Sequence, residues 1–182
     1  MKKILAILLL LCSFLGFSFV EKEVKVYSKS MKKDIPVTVI LPDGYSKDKS
    51  YNTIYVLHGW SGSNYPEKTS IKKLSDQYNI IYVSPDGNYD SWYIDSNLKK
   101  DSKYYTFVSK ELVDYVDSNF STYKAKEHRA ITGLSMGGFG AFYIGIKNQD
   151  VFGNIGSMSG GMNPEQYKGN WGIEKVINSD WN

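Results

Sequence analysis

Apolar positions along the chain fall into two patterns. From Glu21 to Tyr27, Val24 and Val26 alternate with charged residues, a period of two that predicts a half-buried edge strand. A turn over Lys29–Lys33 leads into a second strand, Ile35–Leu41, which Pro42-Asp43-Gly44-Tyr45 ends with strong turn chemistry. Thr53–Leu57 and Ile80–Val83 are instead continuous apolar runs, the mark of strands buried in a parallel sheet. Helical spacing follows over about Thr69–Tyr78, and again over Tyr105–Asn119, where Phe107, Val108, Leu112, Tyr115 and Val116 share a face. Ala130-Ile131-Thr132 predicts a short strand, Met136–Lys147 a helix rich in small residues, and Ile155–Met158 the start of another strand. Ser84–Lys103 has no period and reads as a functional loop. Alternating strands and helices with no linker predict one α/β domain, its mostly parallel sheet carrying helices on both faces.

The first residues stand apart. Lys2 and Lys3 precede an almost unbroken apolar run from Ile4 to Phe17, and Gly16 and Ser18 supply small residues for a cut before Phe19. This predicts a signal peptide over residues 1–18 and a secreted or extracytoplasmic domain over 19–182. The run is too short to span a bilayer comfortably, so no stable membrane span is expected after cleavage. The alternatives are an uncleaved membrane anchor and a lipid anchor on Cys12, against which Leu11 stands where a small residue is expected.

Cleavage lowers the formal charge from +3 to +1, and no basic stripe suggests nucleic acid. Cys12 is the only cysteine, so the mature chain uses neither disulfides nor thiol chemistry. Nothing in the sequence sets the oligomeric state.

Gly133-Leu134-Ser135-Met136-Gly137 is a G-x-S-x-G motif. By composition alone it arises in about one protein of this length in twenty. Here it directly follows a predicted strand and opens a predicted helix, the setting of a nucleophile elbow. The alternative is a glycine-rich turn with Ser135 as a helix cap. His58-Gly59-Trp60-Ser61-Gly62 ends an earlier strand. Acyl transfer needs backbone N–H groups aimed at the developing oxyanion, and Met136 and Trp60 are placed to supply them. The alternative for this second loop, read alone, is an ordinary glycine turn. Trp92 and Tyr93, with Trp60, Tyr65 and Tyr89, read either as walls of a substrate pocket or as loop anchors. Asp86, Asp90 and Asp95 lack the spacing of a calcium loop and read as turn residues. Ser159 lacks a glycine two residues before it and is not a second elbow.

These blocks, with Val83-Ser84-Pro85-Asp86-Gly87-Asn88, Ser91-Trp92-Tyr93, Lys110-Glu111-Leu112 and the continuation Gly138-Phe139-Gly140-Ala141, resemble the α/β-hydrolase esterase family. That family takes in esterase D (S-formylglutathione hydrolase), tributyrin esterases, feruloyl and acetyl-xylan esterases and the mycolyltransferases. The similarity runs in order from about Val24 to Gly161, with tributyrin-esterase-like members nearest in pattern. It implies Ser135 as the nucleophile of a carboxylic-ester hydrolase, Met136 and Trp60 as oxyanion donors, and a small-molecule or carbohydrate-linked ester as substrate. It implies no cofactor and no metal.

It also implies an Asp and then a His downstream of the serine. The 47 residues after Ser135 hold no His, and the chain has only His58 and His128. His58 belongs to the oxyanion loop, and His128 precedes the serine's strand. The acids downstream, Asp150, Glu165, Glu174 and Asp180, follow no convincing strand. The expectation is therefore a hydrolase domain whose last strands and triad partners are missing, with little or no activity as this chain. The alternative is a non-catalytic, secreted carbohydrate-binding or scaffold protein on a hydrolase fold.

Overall fold

The computed structural model describes residues 20–64 and 68–177. The signal segment, Tyr65 and Asp180 lie outside them. Strands β1 (Val20–Ser28) and β2 (Lys33–Leu41) form an antiparallel hairpin in which Val20 faces Leu41 and Ser28 faces Lys33. The turn between them is clasped from across the molecule by Glu111, whose carboxylate accepts from the Ser28 hydroxyl at 2.6 Å and the Ser30 amide at 2.8 Å.

Four further elements carry the chain to the centre of the sheet: β3 (Asn52–Leu57), α1 (Lys68–Tyr78), β4 (Ile80–Pro85) and a long helical connection. The expected helix over 105–119 forms in three joined pieces, α2 (Tyr104–Thr106), a widened π-helical turn (Phe107–Glu111) and α3 (Leu112–Asn119). Then come β5 (Arg129–Leu134), α4 (Met136–Lys147) and β6 (Asn154–Met158), followed by short 3-10 turns at Pro164–Tyr167 and Ile173–Lys175. The sheet order is β1-β2-β4-β3-β5-β6. β2 meets β4 antiparallel, and the pairings β3–β4, β3–β5 and β5–β6 are parallel.

β2 is buried on both faces, with Val37, Val39 and Leu41 on one and Thr38 and Ile40 on the other. The main core joins Val39, Leu57, Val83 and Ile131 of the strands to Phe107, Leu112, Val116, Phe139 and Ile144 of the helices. Each such buried side chain contributes about 1.5–3 kcal/mol. Below the core, Arg129 starts β5 inside a polar knot. Its guanidinium donates to the Asp117 carboxylate at 2.6 Å and to the Val151 carbonyl at 2.9 Å.

Two consequences of this order position the site. Leu57 is in register with Gly133, so the loops leaving β3 and β5 emerge side by side at the carboxyl end of the sheet. At the other margin, no strand among the described residues pairs with the outer edge of β6. Its Ile155 and Met158 are exposed, together with Phe142 and Ile146 of α4.

Candidate active site

The turn between β5 and α4 holds Ser135 at φ 55° and ψ −116°, a backbone region that non-glycine residues rarely enter. The glycines on either side explain how it persists. A Cβ on Gly133 would run into the backbone of Gly137, and one on Gly137 would run into the Leu57 carbonyl. Strand β3, strand β5 and helix α4 therefore meet at a point where only hydrogen atoms fit. The Ser135 amide donates to the Met158 carbonyl at 2.9 Å, and its carbonyl accepts from Phe139 at 3.0 Å. The side chain is exposed and makes no cap to the helix it precedes.

Met136 follows as the first residue of α4, its side chain buried and its amide without an acceptor inside the helix. Across from it, Gly59 approaches the serine closely enough that an added Cβ would lie 3.6 Å from the Ser135 Cβ. In the loop that follows, the Ser61 amide donates to the Tyr89 carbonyl at 3.0 Å and the Gly62 amide to the Gly59 carbonyl at 3.0 Å. Of these three consecutive amides, Trp60 alone has no backbone acceptor among the described residues.

His58 is built into this loop. Its Nδ1 lies 2.7 Å from the Gly59 carbonyl and its Nε2 accepts from the Gly87 amide at 2.8 Å. A carbonyl can only accept, so Nδ1 carries the proton and the Nε2 lone pair is already used. The ring ties the loop after β3 to the loop after β4 and has no lone pair left for a substrate proton. Tyr93 supports it from below, donating from its hydroxyl to the His58 carbonyl at 3.3 Å. Burial pushes the Tyr93 phenol well above its ordinary range, which keeps it a donor.

His128 lies at the opposite end of β5, about 20 Å from Ser135 along the strand. Its Nδ1 meets the Asn52 side chain at 2.7 Å, and its ring stacks on Tyr123 at 4.4 Å. Neither imidazole is placed to take the Ser135 proton. Asp150 sits in the turn after α4, and Glu165 lies 3.9 Å from the Lys168 ammonium.

Trp92 and Tyr93 occupy left-handed backbone, φ 52° and 56°, and are 3% and 0% exposed. Trp92 lies edge-on to Phe139, stacks on Tyr167 and donates to the Trp171 carbonyl at 3.0 Å. Both are packed inside the domain as loop anchors. The three acids of this loop serve its turns: Asp86 accepts from the Asn88 amide, Asp90 lies 3.5 Å from Lys99, and Asp95 caps the next helix through Thr106. The sequence pattern did not reveal that the 162–177 segment folds back onto Trp92, nor that Tyr93 braces the His58 loop. Two consecutive aromatics in a loop of positive φ carry no period from which to infer either.

The chain has relatives of known name. An acetyl esterase of Caldicellulosiruptor saccharolyticus is 33% identical over 148 residues, which cover 75% of this chain and 54% of that esterase. An esterase of Mycobacterium tuberculosis is 34% identical over 131 residues, covering 68% of this chain and 28% of its own length. The solved structure of a ferulic acid esterase matches with a TM-score of 0.71 at 28% identity, over 80% of this chain and 59% of that one. The chain thus spans about half the length of the acetyl esterase. Residues 28–182 match the family described as "Putative esterase", a span that takes in β2 to β6 and both loops around Ser135, and the chain belongs to that family.

Proposed function

We propose that the domain is a serine carboxylic-ester hydrolase that works outside the cytoplasm. Ser135 Oγ adds to the ester carbonyl, its proton passes to a base, and the alcohol leaves to give an acyl-enzyme that water then hydrolyses. The Met136 and Trp60 amides receive the oxyanion of each tetrahedral intermediate. The observation that carries this reading is the strained Ser135 backbone, enforced by contacts at Gly133 and Gly137 that no other residue type would permit. A capping serine needs neither the strain nor the exposure. The relatives are named for acetyl, feruloyl and thioester acyl groups, so their names leave the acyl group of this chain open.

The base is the part that His58 and His128 do not supply, so the 182-residue chain is expected to show at most trace turnover. Added imidazole can stand in for it. With imidazole present, the wild-type chain should hydrolyse 4-nitrophenyl acetate faster than Ser135→Ala under the same conditions. Equal rates would remove Ser135 from the chemistry. The engaged state of both histidines favours one second reading, a secreted carbohydrate-binding or scaffold protein, and equal rates would leave that reading standing. Export rests on the Lys2-Lys3 start and the apolar run to Phe17. N-terminal sequencing of exported protein should begin near Phe19, whereas an intact Met1 in the membrane fraction would mean an uncleaved anchor.

A further inference from the structure

The two margins of the sheet are built differently. β1 carries Glu21, Lys22, Glu23 and Lys25, charges of the kind that keep an edge strand from pairing with another chain. β6 carries no charge, and no strand among the described residues pairs with its outer side. Its Met158 carbonyl turns toward the elbow, where it accepts from the Ser135 amide. Alternation along the strand therefore turns the amides and carbonyls of Ile155 and Ser157 to the open side. Above this edge runs α4. A Cβ on its Gly145 would meet both Ile131 of β5 and Ile155 of β6, so the helix straddles these two strands. Gly140 and Ile144 are buried on one flank of the helix, while Phe142 and Ile146, one turn apart, stand exposed on the other.

We propose that this margin binds a second copy of the chain, joining two six-stranded sheets through β6 about a two-fold axis. With the axis through Gly156 and normal to the sheet, Ile155 of each copy lies opposite Ser157 of the other. Their outward amides and carbonyls then bond reciprocally, as antiparallel strands require. Gly138 abuts Met158 and Gly145 abuts Ile155, which places Phe142 beside the axis. Strands lie about 4.8 Å apart, so two helices that each straddle β5 and β6 come to about 10 Å from one another. Helices pack at that distance, and a twist of about 20–25° per strand crosses them at about 40–50°. Such a crossing interlocks i, i+4 ridges, and Phe142 and Ile146 are one. Phe142, Ile146, Ile155, Met158 and Met162 are each 38–52% exposed. Together they leave open about 400 Å² per copy, half of the about 800 Å² that each partner gives to a standard interface. The strand edges and helix flanks supply the remainder. Because the axis reverses strand direction, the two Ser135 turns emerge at opposite ends of the joined sheet.

Sedimentation equilibrium of the 182-residue chain, from about 1 to about 100 µM, should fit a closed equilibrium between monomer and dimer. Phe142→Lys and Phe142→Glu change an exposed position, so each should keep the wild-type circular dichroism. Each should also weaken the dimer by about tenfold or more, because like charges then meet at the axis. Mixing the two variants should restore it, since opposite charges meet instead. In the wild type, exchange at the Ile155 and Ser157 amides should slow as concentration rises. A monomer at about 100 µM, an open series of larger oligomers, a dimer indifferent to both variants, or a mixture that stays monomeric would overturn the proposal. So would Ile155 and Ser157 amides already protected in the monomer, which would mean that other residues of the same chain cover the edge.

Discussion

Gly59 rests directly against Ser135, with room for one more carbon between the β3 loop and the elbow: an added Cβ would stand 3.4 Å from the Leu134 carbonyl and 3.6 Å from the Ser135 Cβ. That spacing is ordinary van der Waals contact, so Gly59→Ala should fold and keep its imidazole-assisted turnover within a fewfold. A branched side chain adds two more carbons to that Cβ, which already touches the Leu134 carbonyl and the Ser135 Cβ, in the residue just before the Trp60 amide. Gly59→Ile should cost about 2.7–4 kcal/mol of transition-state stabilisation, the effect of losing one oxyanion donor. Assisted hydrolysis by the two variants, compared with wild type, checks this, and full turnover by Gly59→Ile would make the loop merely structural.

The strain at Ser135 gives a prediction of opposite sign for stability and activity. Glycine is at ease at φ 55° and ψ −116°, so Ser135→Gly should raise stability by about 1 kcal/mol after the entropy of the added glycine is deducted. Ser135→Ala keeps the Cβ and so keeps the strain. Gly137→Ala should lose about 1–3 kcal/mol, because its Cβ would displace the Leu57 carbonyl. Urea midpoints for the three variants should fall in the order Ser135→Gly, Ser135→Ala, Gly137→Ala.

Alkaline pH should unfold the protein through its buried phenols. Burial raises the titration of Tyr55, Tyr93 and Tyr104 far above the ordinary phenol value. Below about pH 10 the folded and unfolded chains both hold these protons, and the contribution to stability is complete. Above it, the unfolded chain releases them while the folded chain keeps them, so stability falls as pH rises toward the folded values. Tyrosinate absorbance near 295 nm should therefore rise in step with loss of the far-ultraviolet dichroism. The Tyr55 hydroxyl has no well-formed hydrogen bond among the described residues, so Tyr55→Phe should unfold at higher pH with no loss of stability at neutral pH.

Asp117 is the counter-charge of a guanidinium that is almost wholly buried. Truncating it leaves that charge uncompensated beneath β5, and Asp117→Ala should cost about 3–5 kcal/mol. A thermal melt indistinguishable from wild type would show that Arg129 is satisfied by the Val151 and Lys124 carbonyls alone.

Much of this organisation was legible in the residues because it is locally determined. The elbow needs Gly133, Ser135 and Gly137 at fixed spacing, and the parallel strands betray themselves as apolar runs. The sheet order β1-β2-β4-β3-β5-β6 was not legible, because neighbours in it such as β2 and β4, or β3 and β5, are not neighbours in sequence. What escaped reading depends on distant partners. The π-helical turn at Phe107–Glu111 breaks a helix whose apolar spacing looks regular, and Glu111 is drawn across the molecule to Ser28 and Ser30. Trp92 and Tyr93 could be pocket or core on composition alone, and only the returning 162–177 segment and Phe139 decide it.

The hydrogen bond from the Ser135 amide to the Met158 carbonyl also sets an order of events during synthesis. The elbow leans on Leu57 and His58, which leave the ribosome long before it, and on Met158, which leaves 23 residues after it. Until that carbonyl arrives, the serine's amide lacks the acceptor it has in the finished fold, and the turn rests on its contacts with β3 and α4. Domains grow from the amino end as the chain emerges, so this bond of the elbow forms only when β6 closes on β5. A nascent chain halted before Met158 would carry every atom of the G-x-S-x-G motif and still lack the bond that steadies it from the β6 side.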